Sequence, residues 1–297
     1  MGGFLEQPVL VVGAAGMLGR AMMAALDRRG ANVTSGDRVA DSDRGIEPFD
    51  LTDAADIGRV SSGAWGTVIN CAAWTDVDGA ETQEDAATVL NGTAVGELAD
   101  ACRGSNTKLV HFSTDYVFDG QGTRPYATDH RISPINAYGR SKADGERRIV
   151  ESGCDALVIR TSWLYAPWGK NFVLTMASLL GTRDTLRVVD DQVGRPTSAL
   201  QLAETTLGLL EARASGVFHG CDDDQCTWFE FARTIGEQLG SDCVVEPCSS
   251  DEFPRPARRP SYSVLDMQTT FAHVDRPRPW REALAETLKI AGGARTL

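Results

Sequence analysis

Two residues with acid–base chemistry, Tyr138 and Lys142, stand four positions apart, shortly after Ser133-Pro134. On a helix this spacing places both side chains on one face, one turn apart. An ammonium group beside a phenol stabilises the phenolate and so lowers the pKa of the phenol. The pair therefore predicts a tyrosine that exchanges a proton with a substrate oxygen near neutral pH. Because the same spacing is common on solvated helix surfaces, its meaning depends on the elements around it.

A glycine-rich turn, Gly13-Ala-Ala-Gly16-Met-Leu-Gly19, follows an apolar run that starts at Pro8 and precedes an apolar-periodic segment from Met17 to Arg29. A strand, turn and helix of this kind bring the backbone close to a diphosphate, which the N–H groups of the helix N-terminus then bind. Tight packing explains many glycine-rich turns, but the position between a strand and a helix favours dinucleotide binding. We therefore expect these glycines to contact a cofactor.

An acidic residue, Asp37, ends the second predicted strand, which begins at Asn32. At this position a carboxylate hydrogen-bonds the adenosine ribose hydroxyls of NAD(H). Arg38 favours instead the 2′-phosphate of NADP(H), and a turn with two solvated charges is the third interpretation. The sequence leaves NADPH and NADH both open, and our hypothesis is that the protein uses both.

The predicted elements continue to alternate between strands and helices up to Arg160. Predicted strands cover 67–70, 108–112 and 156–160, and predicted helices cover 85–103 and 137–151. This alternation indicates an α/β fold, a doubly wound parallel sheet with helices on both faces. Tyr138 and Lys142 lie on the second of these helices.

After Arg160 the pattern changes, which indicates a second, smaller unit. Predicted strands cover 186–189 and 216–219, predicted helices cover 171–180, 198–213, 227–239 and 280–290, and Thr227-Trp-Phe-Glu230 is a capping box. We expect residues 1–163 to form the dinucleotide-binding domain, with 186–220 returning to it. Residues 164–185 and 221–297 are expected to form a C-terminal substrate-binding domain over the carboxyl edge of the sheet.

Composition and charge describe an ordinary globular chain of 297 residues, 42% hydrophobic and 24% charged. A net charge of −12 argues against general nucleic-acid binding. No apolar stretch is long enough to span a bilayer, and the segment from Met1 to Gln7 lacks the basic start of an export signal. Seven cysteines, an odd number, fit a reducing compartment. We therefore expect a cytoplasmic protein with no membrane or nucleic-acid partner.

Six ordered motifs make the sequence similar to a known family. They are Asn70-Cys-Ala-Ala-Trp-Thr-Asp-Val-Asp78, Phe112-Ser-Thr-Asp-Tyr-Val-Phe118, Tyr138-Gly-Arg-Ser-Lys142, Arg160-Thr-Ser-Trp163, Val189-Asp-Asp-Gln-Val-Gly-Arg-Pro-Thr197 and Arg255-Pro-Ala-Arg-Arg-Pro260. Together they resemble the extended short-chain dehydrogenase/reductases and, within them, the dTDP-4-dehydrorhamnose reductase family. The resemblance covers the chain from Val9 to about Trp280.

The resemblance implies NAD(P)H-dependent reduction of the 4-keto group of dTDP-4-dehydro-6-deoxy-L-mannose to dTDP-L-rhamnose. In the family pattern, Tyr138 donates a proton to the forming C4 hydroxyl. Lys142 binds the nicotinamide ribose and lowers the pKa of Tyr138, and Thr114 hydrogen-bonds the ketone oxygen. These roles are physically reasonable, because a ketone that accepts hydride develops negative charge on its oxygen.

The resemblance also implies contacts beyond the catalytic residues. Its cofactor contacts fall on Gly16, Met17, Leu18, Asp37, Asp50, Leu51, Ala73, Trp74, Thr75 and Phe112, and its substrate contacts fall on Thr114, Asp115, Trp163 and Asn171. Four of these have a competing structural interpretation: a helix N-cap for Asp50 and Asn171, packing in the core for Phe112, and packing in the core or at a domain interface for Trp163.

Three other functions compete with this reduction. The first is reduction of another nucleotide-linked 4-keto-6-deoxysugar by the same chemistry. The second is epimerisation with a tightly bound NAD; against it, Tyr116 stands where related dehydratases carry an acid after Thr-Asp. The third is a non-catalytic regulatory homologue, which would not need Thr114, Tyr138 and Lys142 together.

Weaker patterns yield no assigned site. The pairs Cys221/Cys226 and Cys243/Cys248 have loose spacing for zinc and no histidine beside them, so we expect no metal. Arg255, Arg258 and Arg259 suit either the diphosphate of a nucleotide sugar or a solvated loop. None of the four histidines is assigned to catalysis. The resemblance leaves a homodimer possible, but Arg20-Ala21-Met22 lacks the acid through which some family members pair around a metal.

Overall fold

Short apolar runs of the sequence form the strands of the computed structural model, which describes residues 7–293. Its strands are β1 (Val9–Val12), β2 (Val33–Asp37), β3 (Ile46–Pro48), β4 (Thr67–Asn70), β5 (Lys108–Thr114), β6 (Ala156–Thr161), β7 (Leu164–Tyr165), β8 (Thr185–Val189), β9 (Val193–Gly194), β10 (Thr197–Ser198), β11 (Gly216–His219), β12 (Cys226–Thr227) and β13 (Val244–Cys248). Most of the segment Met1 to Gln7, on which the expectation about export rests, lies outside the described residues.

Seven of these strands form one sheet in the order β11-β6-β5-β4-β1-β2-β3, and every neighbouring pair is parallel. Strands β1 and β4 are neighbours, although two strands separate them in the sequence. The direction of winding therefore reverses at β1, and open α/β sheets bind ligands at the carboxyl ends of the strands beside such a reversal. The predicted doubly wound parallel sheet is confirmed.

Helices connect the strands and cover the sheet. They are α1 (Met17–Arg28), α2 (Ala54–Ser62), α3 (Val77–Ala80), α4 (Glu84–Thr88), α5 (Ala94–Gly104), α6 (Ala137–Ser152), α7 (Phe172–Leu180), α8 (Ala199–Glu211), α9 (Trp228–Leu239), α10 (Gln268–Phe271) and α11 (Trp280–Gly293). The predicted capping box is present at α9: the Thr227 hydroxyl accepts from the Glu230 N–H, and the Glu230 carboxylate accepts from the Thr227 N–H.

Two hydrophobic clusters hold the helices to opposite faces of the sheet. On one face α1 and α8 pack on the sheet through residues such as Met22 and Leu207. On the other face α2, α5 and α6 contribute Val60, Leu98 and Ile149. A third cluster, centred on Phe231 and Trp280, joins α7, α9 and α11 near the C-terminal half of the chain. The sheet is therefore buried on both faces, as the β-branched runs of its strands require.

The predicted helix 85–103 is interrupted in the structure. A π-helical turn, Val89–Thr93, separates α4 from α5, and it places the Asn91 side chain against the loop after β4. Strand β8 pairs with β13 in a separate two-stranded sheet, while β11 pairs with β6 in the central one. Within 186–220, the strand that joins the central sheet is therefore β11, and the boundaries of the two domains stay a prediction.

Candidate active site

The turn between β1 and α1 requires glycine, because a side chain at Gly13 or Gly19 would collide with the neighbouring backbone. Gly13 has a φ of +80°, and a Cβ there would stand 2.5 Å from the Ala72 nitrogen. A Cβ on Gly19 would overlap the Gly13 carbonyl oxygen and stand 2.7 Å from the Ala14 Cα. Helix α1 thus starts directly against the end of β1, with Gly16 as its N-cap and no acidic residue in its first turn. The turn presents the positive end of α1 to a bound anion.

Asp37 joins the end of β2 to this turn. One carboxylate oxygen accepts from the Ala15 N–H at 2.9 Å and the other from the Val39 N–H at 3.2 Å. Asp50 accepts from the backbone and hydroxyl of Thr52, at 2.9 and 2.7 Å. The N-cap of α2 is Asp53 rather than Asp50, and Leu51 is a buried core residue. Both aspartates keep spare lone pairs for ribose or adenine donors.

The loop after β4 contains Ala73, Trp74 and Thr75, and Asn91 holds it in place. The Asn91 amide oxygen accepts from the Trp74 N–H at 2.8 Å, and its NH₂ group donates to the Trp74 carbonyl at 3.1 Å. The same NH₂ group donates to the Ser141 hydroxyl on α6 at 2.9 Å. Asn91 thus links the loop to the helix of Tyr138 and Lys142. Asn91 was not among the predicted site residues, because a polar residue inside a predicted helix carries no signal of its own.

Helix α6 begins with a capped turn that carries Tyr138. The Asn136 side chain accepts from the Gly139 N–H at 2.8 Å and donates to the Arg258 carbonyl at 2.9 Å. A Cβ on Gly139 would overlap the Tyr116 carbonyl, so the helix lies directly against the turn after β5. The Tyr138 and Tyr116 rings meet edge to face, 5.8 Å between centroids. These contacts place Tyr138 beside the end of β5.

Thr114, at the end of β5, lies beside the half-buried Tyr138 side chain. The Thr114 hydroxyl donates to Asp115 at 3.0 Å and accepts from the Tyr116 N–H at 3.2 Å. Because a hydroxyl has one hydrogen, this arrangement leaves Thr114 as an acceptor towards Tyr138. Burial raises the pKa of Asp115 to about 6, against the lowering effect of hydrogen bonds from Ser263 and Thr114.

The pKa of Tyr138 is raised, whereas the family pattern predicts that Lys142 lowers it. Burial of the phenol is the largest cause of this rise, and the nearby Asp115 adds to it. The Lys142 ammonium nitrogen lies instead against the Phe112 carbonyl, at 2.6 Å, and against the His111 ring, at 3.1 Å. Phe112 therefore takes part in the site through its backbone, and its ring is buried in the core.

Trp163 occupies an unusual backbone position just after β6. Its φ of +47° is rare for a bulky residue, and its half-buried indole stacks on Trp228 with 3.6 Å between ring centroids. Gly194 lies against the indole, since a Cβ there would stand 2.5 Å from the Trp163 Cε2. Strained backbones of this kind occur where a side chain must point in one direction.

Asn171 is the N-cap of α7. Its amide oxygen accepts from the Leu174 N–H at 3.1 Å, and its NH₂ group donates to the Ala166 and Trp168 carbonyls at 2.9 and 3.2 Å. Both NH₂ hydrogens are therefore used by its own loop, and only a lone pair of the oxygen is left for a ligand. The structure supports the capping interpretation for this residue.

The C-terminal arginine cluster lies beside Tyr116. Arg259 pairs with Asp78 at 3.0 Å and stacks over the Tyr116 ring at 5.8 Å. Arg255 is mostly exposed, 3.8 Å from the same carboxylate. Asp78 also accepts from the Ala257 N–H at 3.2 Å. One aspartate thus holds the segment 255–259 near the carboxyl edge of the central sheet.

The other predictions about ligands and partners concern the chain as a whole. Among residues 7–293, no three histidine, cysteine or acidic side chains gather as a metal site would require. All seven cysteines are free thiols. Across this same described range, every helix is too short or too polar to span a membrane.

The fold and the site together define a class of protein. A doubly wound parallel sheet, a glycine turn after β1, a threonine at the end of β5 and a Tyr-x-x-x-Lys helix are the features of an extended short-chain dehydrogenase/reductase. The sequence model of the family described as RmlD substrate binding domain matches residues 7–292.

Relatives of known name agree with this match. The chain is 42% identical to a dTDP-4-keto-6-deoxy-D-glucose reductase of Streptomyces niveus, over 95% of this chain and 96% of that protein. It is also 42% identical to a dTDP-4-dehydrorhamnose reductase of Streptomyces griseus, over 96% and 94%. The structure of the Bacillus anthracis dTDP-4-dehydrorhamnose reductase in complex with NADP is 33% identical and covers 95% of this chain and 99% of that one, with a TM-score of 0.89. The chain therefore belongs to the dTDP-4-dehydrorhamnose reductase family, and the resemblance carried by the six motifs is confirmed.

Proposed function

We propose that this protein reduces the 4-keto group of dTDP-4-dehydro-6-deoxy-L-mannose to give dTDP-L-rhamnose. The observation that carries the proposal is that Thr114 ends β5 beside Tyr138, while the Lys142 amine contacts the Phe112 carbonyl two residues earlier on the same strand. A pure binding protein has no need of a phenol, an amine and an alcohol at the end of one strand. The names of the relatives support the same reaction.

The cofactor of this reaction is NADPH or NADH, which supplies the hydride. The residues present fit a dinucleotide: Gly13 and Gly19 leave room that a Cβ would fill, and the N-terminus of α1 offers backbone N–H groups to a diphosphate. Asp37 ends β2, where an acidic residue suits the adenosine ribose hydroxyls, and Asp50 and Leu51 are the proposed contacts near the adenine. Ala73, Trp74, Thr75 and Phe112 complete the proposed contacts. The Bacillus anthracis relative was solved with NADP.

Tyr138 is the proposed proton donor. As hydride reaches the carbonyl carbon, negative charge grows on the ketone oxygen, and a neutral phenol beside it donates its proton in the same step. The raised pKa of Tyr138 keeps the phenol protonated before the reaction. Thr114 contributes a hydrogen bond to the ketone only if its hydroxyl leaves Asp115, to which it now donates.

The substrate side of the proposal uses the groups beyond these three residues. The Trp163 indole offers an aromatic face to the apolar side of a deoxysugar. Asp115 is buried, and one of its carboxylate oxygens has no partner among the described residues. This oxygen can accept a hydrogen bond from a sugar hydroxyl. Asn171 contributes by fixing the start of α7. Arg259 is the arginine best placed for a diphosphate, because its guanidinium lies over Tyr116.

A second candidate, reduction of another nucleotide-linked 4-keto-6-deoxysugar, is favoured by one specific observation. The Streptomyces niveus relative, as similar to this chain as the Streptomyces griseus one, is named for a D-glucose-derived substrate. The chemistry at Tyr138 is the same for both sugars, so the residues around Trp163 must decide between them.

The test is direct. The protein is mixed with NADPH, or separately NADH, and with the product of an upstream dehydratase and epimerase, and absorbance at the nicotinamide band is followed. We expect cofactor oxidation and a rhamnosyl product by NMR. Oxidation only with the unepimerised sugar would select the second candidate, and no oxidation with any 4-keto sugar would point to the regulatory alternative.

Two further parts of the proposal concern the surroundings of the protein. Its seven free thiols fit the reducing cytoplasm, where nucleotide sugars would be its substrates. The homodimer that the resemblance allows is tested by sedimentation equilibrium.

A further inference from the structure

The short helix α3 lies next to the loop that contains the proposed cofactor contacts 73–75. This loop leads directly into α3, and the Trp74 indole N–H donates to the Asp76 carbonyl at 2.8 Å. The Asp76 side chain is the N-cap of α3, where it accepts from the Gly79 N–H at 2.9 Å. The position of α3 is therefore tied to the position of the cofactor loop.

Helix α3 also contacts the helix that carries Tyr138. The Glu81 carboxylate, just after α3, accepts from the N–H of Ala137, the first residue of α6, at 2.8 Å. Ala80 and Ala137 belong to one small buried cluster, and the side chains of Trp74 and Tyr138 pack against it. The cofactor loop and the proposed proton donor therefore share one support.

Asp78 attaches the arginine segment, residues 255–259, to α3. Its Oδ1 atom accepts from the Ala257 N–H at 3.2 Å and lies 3.0 Å from the Arg259 Nη2. Its Oδ2 atom lies 3.8 Å from Arg255, which is mostly exposed. The arginine segment contains neither helix nor strand, so it depends on such contacts for a fixed position.

These contacts form a closed ring of three segments. Asp78 joins α3 to the arginine segment. The Arg258 carbonyl of that segment accepts from the Asn136 side chain, which caps α6. Glu81 then joins α6 back to α3. A displacement of any one of the three segments therefore breaks contacts with the other two.

We propose that Asp78 is a positioning residue for the nucleotide sugar, which holds the Arg259 guanidinium over Tyr116 for the diphosphate and links this arginine to the cofactor loop through α3. The inference rests on the proposed function and deepens it, because Arg259 is the arginine assigned there to the diphosphate. The pair with Asp78 engages Nη2, and a guanidinium has five N–H donors, so others are left for phosphate oxygens.

The Asp78 carboxylate acts on a diphosphate in two opposite ways. Its negative charge repels the phosphates, whereas its contacts fix a long side chain and an irregular segment. The repulsion is weak, because the charge is paired with Arg259 and the two side chains are 25% and 20% exposed to screening solvent. Ordering an arginine side chain and its segment during binding costs affinity. We therefore expect the positioning effect to be the larger one.

The link through α3 predicts that the two ligands bind cooperatively. A cofactor that orders the loop before α3 also orders Asp78, and through it Arg259. By thermodynamic reciprocity, a diphosphate on Arg259 strengthens cofactor binding by the same factor. This cooperativity is a property that a purely structural ion pair does not have.

Asp78→Asn tests the proposal with little change of shape. The amide oxygen still accepts from the Ala257 N–H, but the charge attraction to Arg259 is lost. The probe is dTDP, which has the diphosphate but no keto group, and titration calorimetry measures its Kd with and without saturating NADP⁺. In the wild type we expect NADP⁺ to lower this Kd about fivefold. In Asp78→Asn we expect the Kd without cofactor to rise about tenfold and the effect of NADP⁺ to shrink.

Asp223→Asn is the matched control. Asp223 also lies near two arginines, Arg195 at 3.4 Å and Arg276 at 3.5 Å, and its carboxylate accepts from the Asp224 N–H at 3.0 Å. Its side chain is 24% exposed, close to the value for Asp78. Because Asp223 has no contact with the arginine segment, this variant should keep the wild-type Kd for dTDP and the wild-type effect of NADP⁺.

Arg259→Gln shows whether Asp78 acts through this arginine. We expect this variant to raise the Kd for dTDP about tenfold and to lose the effect of NADP⁺. Addition of Asp78→Asn to Arg259→Gln should then change the Kd little, because the residue through which Asp78 acts is already absent. Losses that simply add would overturn the proposal.

The outcomes separate this inference from the proposed function. An unchanged or lower Kd for dTDP in Asp78→Asn would overturn the role of Asp78, even if the protein is an active reductase. The expected pattern would support that role even if no 4-keto sugar is reduced. Should Asp78→Asn fail to fold, a wild-type effect of NADP⁺ in Arg259→Gln would overturn the link. A wild-type protein that does not bind dTDP would overturn the inference together with the proposed substrate.

Discussion

The indole of Trp163 lies flat against the indole of Trp228, with 3.6 Å between the ring centroids and 11° between the ring planes. Trp163 follows a strand of the central sheet, and Trp228 is the first residue of α9 in the C-terminal half. The contact therefore joins the two regions between which a nucleotide sugar is expected to bind, and it fixes one wall of the proposed sugar site.

Gly194→Ala is expected to displace this wall, because the new methyl group would stand 2.5 and 2.7 Å from two atoms of the Trp163 ring. We expect the KM for the 4-keto sugar to rise about tenfold, while the Kd for NADPH stays the same. Steady-state kinetics and fluorescence titration measure the two constants. Gly181→Ala, where the nearest atom is at 3.6 Å, is the control. Equal effects of the two variants would remove Trp163 from the sugar site.

Tyr138→Phe is expected to lower kcat by roughly 10²–10⁴-fold, since it removes the proposed proton donor and keeps the ring. NADPH affinity should change little. Tyr116→Phe, at the ring that meets Tyr138 edge to face, should lose far less turnover. Single-turnover absorbance measurements distinguish the two. A Tyr138→Phe enzyme with wild-type kcat would contradict the proposed role.

Asp115→Asn is expected to stabilise the protein at neutral pH. The pKa of Asp115 is raised to about 6 in the folded protein, above its value in an unfolded chain, so the folded state binds the proton more tightly. Wild-type stability therefore falls as pH rises from about 4 to about 6, and the asparagine variant gains about 3 kcal/mol above that window. Urea unfolding between pH 4 and 8 measures the difference.

The control for Asp115 is Asp155, a carboxyl group whose pKa is shifted in the opposite direction. At Asp155 burial raises the pKa of the carboxyl group, but hydrogen bonds from Lys108 and Ser215 together lower it by a larger amount. The net shift of the pKa is therefore downward. Its contribution to stability is present at neutral pH and is lost as pH falls through the folded pKa. Asp155→Asn should therefore be neutral or destabilising at pH 7. A stability gain of the same size in both variants would refute the assignment to Asp115.

The pair between Arg160 and Glu146 is expected to be important for stability, because both side chains are buried, 3% and 5% exposed. Arg160→Met leaves the carboxylate uncompensated and should cost about 3–5 kcal/mol of unfolding free energy. Arg147→Met breaks the exposed pairs with Asp144 and Glu151 and should cost far less, because solvent screens both pairs. Guanidinium unfolding at pH 7 compares the two, and similar losses would contradict the difference in burial.

Gly19→Ala is expected to weaken cofactor binding and folding together, because its methyl group would overlap the Gly13 carbonyl and push α1 away from the turn. The control is Gly58→Ala on exposed α2, where no atom lies within 4 Å; there alanine should stabilise by up to about 1 kcal/mol. Thermal unfolding with and without NADPH measures both effects. A Gly19→Ala variant with wild-type NADPH affinity would argue against the turn as the diphosphate site.

Local patterns predicted the elements that position the site. The apolar runs gave strands β1, β4, β5, β6 and β11 close to their observed bounds, and the Thr227 capping box gave the start of α9. These signals are local, because burial on both faces and the satisfaction of helix-end N–H groups act within a few residues. Helix α2 was missed because only two of its residues, Ile57 and Val60, are buried.

Contacts between segments that are distant in the chain could not be predicted from the sequence. Nothing in the residues around Lys142 shows that its amine meets His111, 31 positions earlier, instead of Tyr138. The expected lowering of the Tyr138 pKa required the Lys142 ammonium to lie close to the phenolate. The pKa is raised instead because the phenol is buried, and burial depends on the whole fold. The π-helical turn at Asn91 has the same origin, since its partners lie on Trp74 and Ser141.

The hydrogen bond from the Asn136 side chain to the Arg258 carbonyl has a consequence for biosynthesis. The two residues are 122 positions apart, and one of them caps the helix of the proposed proton donor. At ordinary translation rates, roughly 6–25 s pass between the synthesis of the two residues. In a nascent chain this hydrogen bond can form only after Arg258 has been synthesised. A chain released before that point would contain all seven strands of the central sheet but would lack this anchor of the helix.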